Sequence, residues 1–364
     1  MDTTLYKKNS QEVIARLTDL YTGKGLDKIY AKMHIPNPIL EKRKREYRGG
    51  RSEYPDIEER IAFWDNILSI YSDLEDDSIP SAYLSEFDQG LYGALVGAEI
   101  RFLYNASRGT IASMVAPFVE DLDEVGDFKP DAENIWFKRY VKQLKLYADR
   151  AKNKFGVSHF ILIDGLNFLA ELRGGTNVYY DIVDVPGKVK SVIDFALKLN
   201  EWVVNNFFDI TGLVNGGTCS NFVQWIPGRV VSESIDPFHL ASVDTFEEWG
   251  REPVQRMFDK YDGGIVHLHS NGHHLLENVS TLRGLKCILL LDEEFNMPVS
   301  VYKKLEQLNM KRGKIPLHVS IPYDVFADRL AKRELLTNVF YNVLNVPDMN
   351  CANKTMAEVK KYKI

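Results

Sequence analysis

Two histidines that alternate with apolar residues are the clearest candidates for chemistry in this chain of 364 residues. They lie in the stretch GGIVHLHSNG, residues 263–272, whose pattern predicts a tight turn, a buried strand and the start of a helix. Because side chains alternate along a strand, His267 and His269 point to the same side of it. Two imidazoles that face one space can act as general bases or bind a metal ion.

Carboxylates accompany a neighbouring predicted strand, residues 229–234. Asp236 comes just after this strand and before a proline that stiffens the turn. A carboxylate near an imidazole can orient the ring or hold a substrate hydroxyl. We therefore predict that His269, Asp236 and His267 are catalytic, and that His269 is a candidate metal ligand. The structural alternative is a hydrogen-bonded core histidine and an aspartate that caps a turn.

The elements that must position these residues alternate along the chain. Short apolar runs are separated by helical segments, and eight of them are predicted strands, residues 78–84, 112–119, 160–164, 210–215, 229–234, 264–269, 287–292 and 315–320. This alternation predicts an α/β fold, and eight strands favour a closed (β/α)₈ barrel. Residues 1–75 show helical patterns without a clear strand. We predict a helical N-terminal extension over 1–75 and a barrel over 76–364.

In such a barrel the active site lies at the carboxyl ends of the strands. Polar groups buried there without partners would be costly, so an open mouth filled by solvent or ligand explains them better. We predict substrate-binding residues at this mouth, namely Tyr83, Asp88, Asp164, Asn215, Trp225, Glu233, Asp292 and His318. Trp225 has a second interpretation, as a core residue.

Composition and charge limit the classes of binding partner and the cellular location that we expect. The net charge of −6 argues against nucleic acid or an anionic membrane surface as the main partner. No apolar stretch approaches the length of a membrane span and the N-terminus lacks the apolar core of a signal peptide, so a cytoplasmic protein is expected. The three cysteines are far apart in sequence and are expected to be reduced. A basic run, residues 42–45 extended by Arg48 and Arg51, could hold a phosphate or an acidic partner, or be a solvated surface.

Residues 232–290 resemble the uroporphyrinogen decarboxylase superfamily, which includes that enzyme and the corrinoid-linked methyltransferases. The similar pattern is an aspartate loop, a helix that begins near Phe246, and a strand that ends in His-x-Cys-Gly. Two further stretches are similar, residues 172–186 and the tail, residues 345–362. The resemblance implies a (β/α)₈ barrel, in agreement with the strand count.

Two departures from the family pattern bear on function. Uroporphyrinogen decarboxylase has an arginine-rich motif early in the barrel that receives substrate carboxylates, whereas residues 78–90 contain no arginine. This departure argues against uroporphyrinogen decarboxylase activity. In the zinc methyltransferases the His-x-Cys motif binds the metal; His269 matches the histidine, but Asn271 stands at the cysteine position. The resemblance then implies a modified zinc site that combines His269 with His267, Glu233 or Asp236.

From these observations we predict an enzyme that acts on a small organic molecule at the barrel mouth. The expected reaction is methyl transfer connected to a corrinoid carried by a separate partner protein. Decarboxylation of a different carboxylic acid is the alternative within enzymes. A non-catalytic barrel that binds a ligand or a partner is the alternative outside them.

Overall fold

A computed structural model of the chain describes residues 5–47, 49–105, 109–292 and 300–363. Its strands are β1 Ile29–Met33, β2 Arg51–Ser52, β3 Ser81–Tyr83, β4 Ile100–Asn105, β5 Thr110–Val115, β6 Gly156–His159, β7 Gly217–Ser220, β8 Gln224–Pro227, β9 Val231–Ser234, β10 Gly264–Leu268, β11 Leu285–Leu290, β12 Leu317–Pro322 and β13 Val339–Leu344.

The helices lie mostly between these strands. They are α1 Ser10–Tyr21, α2 Pro38–Glu46, α3 Ile57–Ser69, α4 Gly90–Leu95, α5 Ile135–Ala151, α6 Gly165–Arg173, α7 Gly175–Asp184, α8 Pro186–Thr211, α9 Val243–Trp249, α10 Arg251–Lys260, α11 Leu276–Val279, α12 Val301–Asn309, α13 Tyr323–Lys332 and α14 Met349–Lys361. Short 3₁₀ helices are Ser85–Phe87, Leu122–Glu124, Asp236–Leu240 and Ser270–Leu275.

The central layer is built of parallel strands. One sheet has six parallel strands in the order β1-β13-β12-β11-β10-β9, and a second has the order β3-β6-β7-β8, in which only β8 runs antiparallel to its neighbour. The six-stranded sheet is almost wholly buried, as expected when helices cover it. A small antiparallel sheet has the order β2-β4-β5 and combines one strand from before β3 with two from after it. The predicted α/β class with a parallel sheet is confirmed.

Backbone hydrogen bonds connect the two larger sheets at two places. The amide of Leu162, just beyond β6, donates to the carbonyl of Ser232 in β9 at 2.8 Å. The amide of Asp77, just before β3, donates to the carbonyl of Ala31 in β1 at 2.9 Å. The two edge strands of the six-stranded sheet are therefore both hydrogen-bonded to segments next to the second sheet. The strand β1 contacts the residues before β3, and β9 contacts the residues after β6.

Two buried aspartates fix β1 to the segment before β3. Asp76 accepts from the amide of Met33 at 2.9 Å and from Lys7 Nζ at 2.6 Å. Asp77 accepts from the amide of Ala31 at 3.0 Å and pairs with the guanidinium of Arg16. Neither carboxylate is exposed to solvent. These bonds satisfy edge groups that a neighbouring strand would otherwise bind.

The strand prediction was wrong at both ends of the chain. Residues 1–75 contain β1, in which Lys32 interrupts the apolar pattern of a strand. The last strand, β13, lies beyond the eight predicted strands, although its sequence VFYNVL is rich in β-branched and aromatic residues. The assignment of 1–75 as helical therefore needs correction, because β1 pairs in parallel with β13. The domain boundary at residue 75 stays a prediction.

Two of the predicted internal strands were also wrong. Residues 210–215 include the last turn of α8 and the loop after it, because the apolar spacing there continues the period of this 26-residue helix. Residues 112–119 overlap β5, which pairs antiparallel with β4 outside the central layer. The predicted strand at 160–164 is displaced, because β6 ends at His159.

Two apolar cores flank the parallel strands. The larger lies between the strands and the surrounding helices. The smaller holds side chains from the amino-terminal halves of strands, including Tyr30, Ile265, Cys287 and Phe340, and it also contains Trp225. In the described part of the chain, no helix is long and apolar enough to cross a membrane.

Substitution of Asp76 by alanine is expected to lower the free energy of unfolding by about 3 kcal/mol, because it leaves Lys7 buried without its counter-charge. Urea denaturation measures the change. Asp73→Ala is the matched control, because Asp73 forms an exposed ion pair with Lys8 and such pairs contribute less than about 1 kcal/mol. Equal losses in the two variants would contradict the anchoring role of Asp76.

Candidate metal centre

The site is formed where β9 and β10 end side by side. These strands are parallel neighbours, with Ser234 in register with His267, so their carboxyl ends meet at one edge of the sheet. Beyond β9 the chain enters the 3₁₀ helix Asp236–Leu240. Beyond β10, His269 precedes the 3₁₀ helix Ser270–Leu275. The imidazoles of His267 and His269 at the end of β10 therefore lie beside the carboxylate of Asp236, which follows β9.

One carboxylate oxygen is shared by three histidines. Asp236 Oδ1 lies 3.1 Å from His267 Nε2, 3.6 Å from His269 Nε2 and 3.7 Å from His239 Nδ1. The ligand atoms of Asp236, His267 and His269 all lie within 4.8 Å of one another. Tetrahedral zinc with bonds of about 2.0–2.1 Å holds its ligand atoms roughly 3.3 Å apart. The spacing of these side chains therefore suits a small divalent cation.

His267 is oriented by the backbone of β9. Its Nδ1 lies 3.2 Å from the carbonyl oxygen of Glu233, and the ring of Phe222 packs against it at 5.0 Å. A hydrogen bond from Nδ1 to this carbonyl directs Nε2 toward Asp236. With Nδ1 protonated, a lone pair on Nε2 would face the Asp236 carboxylate. A proton or a metal ion between the two atoms stabilises that arrangement.

His239 is the residue of the site that the sequence analysis missed. In a 3₁₀ helix residues i and i+3 lie on one face, so Asp236 and His239 project together. The His239 side chain is almost fully buried, and a Cβ on Gly272 would collide with its ring. Burial lowers the pKa of His239 to about 3, so the ring is neutral at physiological pH. The three-residue spacing of Asp236 and His239 is the sequence feature from which this contact could have been predicted.

Asp236 is held in its ionised form. Burial alone would raise its pKa, but the hydrogen bond with His267 and the nearby charges of His269 and His239 outweigh burial and lower the pKa to about 2. An ionised carboxylate beside imidazole rings offers the oxygen and nitrogen atoms that zinc accepts as ligands. None of the three cysteines contributes: Cys219 and Cys287 are buried in the smaller core, and the thiol of Cys351 contacts Tyr323.

Glu233 lies outside this cluster. It follows the alternation of β9, so its buried carboxyl group lies beside Asp164, while only its carbonyl contacts His267. Burial raises the pKa of Asp164 to about 7, and burial with the charge of Asp164 raises the pKa of Glu233 well above its ordinary value. The pair therefore retains protons near neutral pH. The prediction that Glu233 ligates a metal does not fit this position.

Three more of the predicted substrate residues follow strands at the same edge. Tyr83 ends β3 and is half-buried, and Asp88 follows the 3₁₀ helix after that strand. Asp292 follows β11, and its carboxylate accepts from the amide of Val301 at 2.7 Å, which places it at the start of α12.

The other three predicted substrate residues lie toward the amino ends of the strands. Asn215 precedes β7 in a tight turn with φ 47°. Trp225 is buried in the smaller core and its indole donates to the carbonyl of Val214. His318 is the second residue of β12, fully buried between Phe340 and Tyr21. The placement of these three at the mouth needs correction, because the strands were predicted too early or in the wrong segment.

The fold and the site define an α/β protein with a parallel sheet and a histidine–carboxylate cluster at its carboxyl edge. Comparison with solved structures finds a methyltransferase from Methanosarcina mazei with a TM-score of 0.62 and 12% sequence identity. The alignment covers 96% of this chain and 98% of that chain, so the two share their overall fold. No protein-family model and no curated protein sequence matches this chain.

Asp164→Asn is expected to reduce the pH dependence of stability. Because the folded pKa is about 7 against an ordinary 3.8, the unfolded chain releases this proton first. Stability is therefore full below about pH 4 and is lost as pH rises through about 7, by about 4 kcal/mol. Asparagine cannot ionise and can donate to Glu233. Urea denaturation across this range measures the slope.

The exposed Asp184 at the end of α7 supplies the control for this experiment. Asp184→Asn should keep the wild-type slope. A wild-type slope in Asp164→Asn as well would show that the buried pair does not titrate in this range.

Proposed function

We propose that this chain is a metal-dependent methyltransferase whose methyl acceptor or donor is a corrinoid carried by a separate protein. The observation that carries the proposal is the convergence of His239, His267 and His269 on one oxygen of Asp236. The shared fold with a methyltransferase supports the choice of reaction. The resemblance of residues 232–290 to the corrinoid-linked enzymes supports the choice of partner.

The proposal includes a closed (β/α)₈ barrel. Its strands would be β1, β3, β6, β9, β10, β11, β12 and β13, all of which run parallel to their neighbours. The bonds from Leu162 to Ser232 and from Asp77 to Ala31 support closure on either side of β3 and β6. The site residues would then lie at the carboxyl ends of barrel strands, where such folds place their active sites.

Zinc is the proposed metal, because its usual ligands are the nitrogen and oxygen atoms present here. His267, His269 and Asp236 would hold it, with His239 as a fourth ligand or a neighbour that leaves one position open. A bound zinc ion would act as a Lewis acid toward the heteroatom that bears the methyl group. The backbone carbonyl of Glu233 would fix His267 for this task.

The substrate is a small molecule with a methyl group on oxygen, nitrogen or sulfur. During transfer the bond between the methyl carbon and the heteroatom would break with its electron pair left on the heteroatom, which a proton then neutralises. The reduced corrinoid of the partner protein would accept the methyl group and supply both electrons of the new bond. The histidines and Asp236 are the groups of the cluster that can bind this heteroatom or move that proton. The side chains of Asp88 and Asp292 remain proposed contacts at the mouth.

The wild-type protein is expected to bind zinc stoichiometrically. Loss of one ligand in His269→Ala or Asp236→Asn should weaken zinc binding by more than about 100-fold, because even outer partners of a metal site contribute 10- to 100-fold. Equilibrium dialysis with metal analysis measures the affinity. His274→Gln is the matched control, since His274 is an exposed histidine of the adjacent 3₁₀ helix.

Activity is measured separately, with free cob(I)alamin as methyl acceptor and small O-methyl and N-methyl compounds as donors. Methylation changes the visible absorption of the cobalamin, and the change should disappear in His269→Ala but persist in His274→Gln. A wild-type protein that binds no zinc would contradict the proposal and favour decarboxylation or ligand binding. Zinc binding without methyl transfer would limit the proposal to the metal site.

The contribution of His239 is tested by His239→Phe, which keeps a planar ring in the space beside Gly272. Cobalt(II) reports the number of ligands through the intensity of its visible absorption. If His239 is the fourth ligand, the position and intensity of the cobalt absorption should change in His239→Phe, because an oxygen ligand from water replaces the imidazole nitrogen or the fourth position is left empty. An unchanged spectrum would remove His239 from the ligand set.

A further inference from the structure

A surface cleft lies between the small antiparallel sheet and the start of α5, and no residue of the histidine cluster lines it. Its volume is about 490 Å³, within the range of small-molecule sites. Three arginines line it from three different elements, Arg51 from β2, Arg101 from β4 and Arg139 from α5. The chain as a whole is acidic, so this concentration of guanidinium groups is a local feature.

The guanidinium groups in the cleft have few acidic partners. Arg101 meets Glu99 at 3.4 Å through one nitrogen, and its Nε is buried with no hydrogen-bond acceptor. Within the described ranges, Arg51 and Arg139 form no ion pair or side-chain hydrogen bond. Arg16, by contrast, makes two hydrogen bonds to one carboxylate. Most of the donor groups of the cleft are therefore available to a ligand.

Arg139 is held in place by aromatic rings. Its guanidinium lies 4.4 Å from the centre of the Trp136 ring and 5.0 Å from that of Tyr54. Both rings pack against the buried Phe102, at 5.6 and 5.5 Å. Cation–π contacts of this kind fix a cation without neutralising it. The cost of ordering this side chain is therefore partly met before any ligand binds.

We propose that this cleft binds a small phosphate ester. Guanidinium groups pair with phosphate through two parallel hydrogen bonds, and a tetrahedral dianion can accept such pairs from three directions, which a planar carboxylate cannot. The volume exceeds that of a bare phosphate. Glu53 and Glu99 at the cleft can accept hydrogen bonds from hydroxyl groups of the organic part, and Ile100 offers it an apolar surface. This site goes beyond the proposed methyl transfer and does not depend on it.

Isothermal titration of the full chain with glycerol 3-phosphate tests the proposal, with glycerol, inorganic phosphate and sulfate as comparison ligands. Arg51→Gln and Arg101→Gln should each weaken binding of glycerol 3-phosphate at least about tenfold, as expected for loss of a hydrogen bond to a charged group. Arg150→Gln is the matched control, because Arg150 is exposed near the other end of α5 and pairs with Glu58. Arg139→Lys should weaken binding while it keeps the charge.

The variants should keep the wild-type melting temperature and zinc affinity, so that a loss of phosphate binding is separable from misfolding and from the metal centre. Three outcomes would overturn the proposal: no binding of glycerol 3-phosphate by the wild type at millimolar concentration, wild-type affinity in Arg51→Gln and Arg101→Gln, or an equal loss in Arg150→Gln. Inorganic phosphate that binds as tightly as glycerol 3-phosphate would overturn the assignment of an ester.

Discussion

The carboxylate of Asp236 is the point on which the candidate site depends. Its Oδ1 lies within 3.7 Å of ring nitrogens from three histidines, and its pKa of about 2 keeps it ionised. This half-buried anion is stabilised by a compensating positive charge nearby. Protons on the histidines can supply that charge in part. A divalent cation supplies it fully and accepts the same ligand atoms.

The parallel sheet makes this arrangement possible. Because β9 and β10 run in the same direction, both strands deliver their following residues to one edge. The 3₁₀ helix Asp236–Leu240 then turns His239 toward the same oxygen, and Gly272 leaves the space that the His239 ring occupies. The buried pair of Asp164 and Glu233 lies behind β9, where its shared protons make it sensitive to pH. The strand β9 thus connects the candidate metal site to the buried carboxyl pair.

The sequence predicted the two strand histidines and Asp236 of the site. It did not predict His239, and it assigned Trp225 and His318 to the site although they lie elsewhere. The alternation in GIVHLH placed His267 and His269 on one side of a strand, and the structure brings both to Asp236. The 3₁₀ geometry that adds His239 depends on local backbone shape, which has no strong periodic signal. Trp225 and His318 were placed at the wrong end because strand direction and exact strand bounds decide which end a residue occupies. The strand β1 was missed because Lys32 interrupts its apolar pattern. Its pairing with β13 and the bonds from Asp76 and Asp77 stabilise this strand, and neither contact is visible in a local sequence pattern.

X-ray absorption spectroscopy of the zinc-loaded protein tests the central claim most directly, because it counts and identifies the atoms bound to the metal. The account predicts a first shell of nitrogen and oxygen atoms at about 2.0–2.1 Å, with the outer-shell scattering of at least two imidazole rings and no sulfur. A sulfur shell at about 2.3 Å, or a spectrum of hydrated zinc without imidazole scattering, would contradict it.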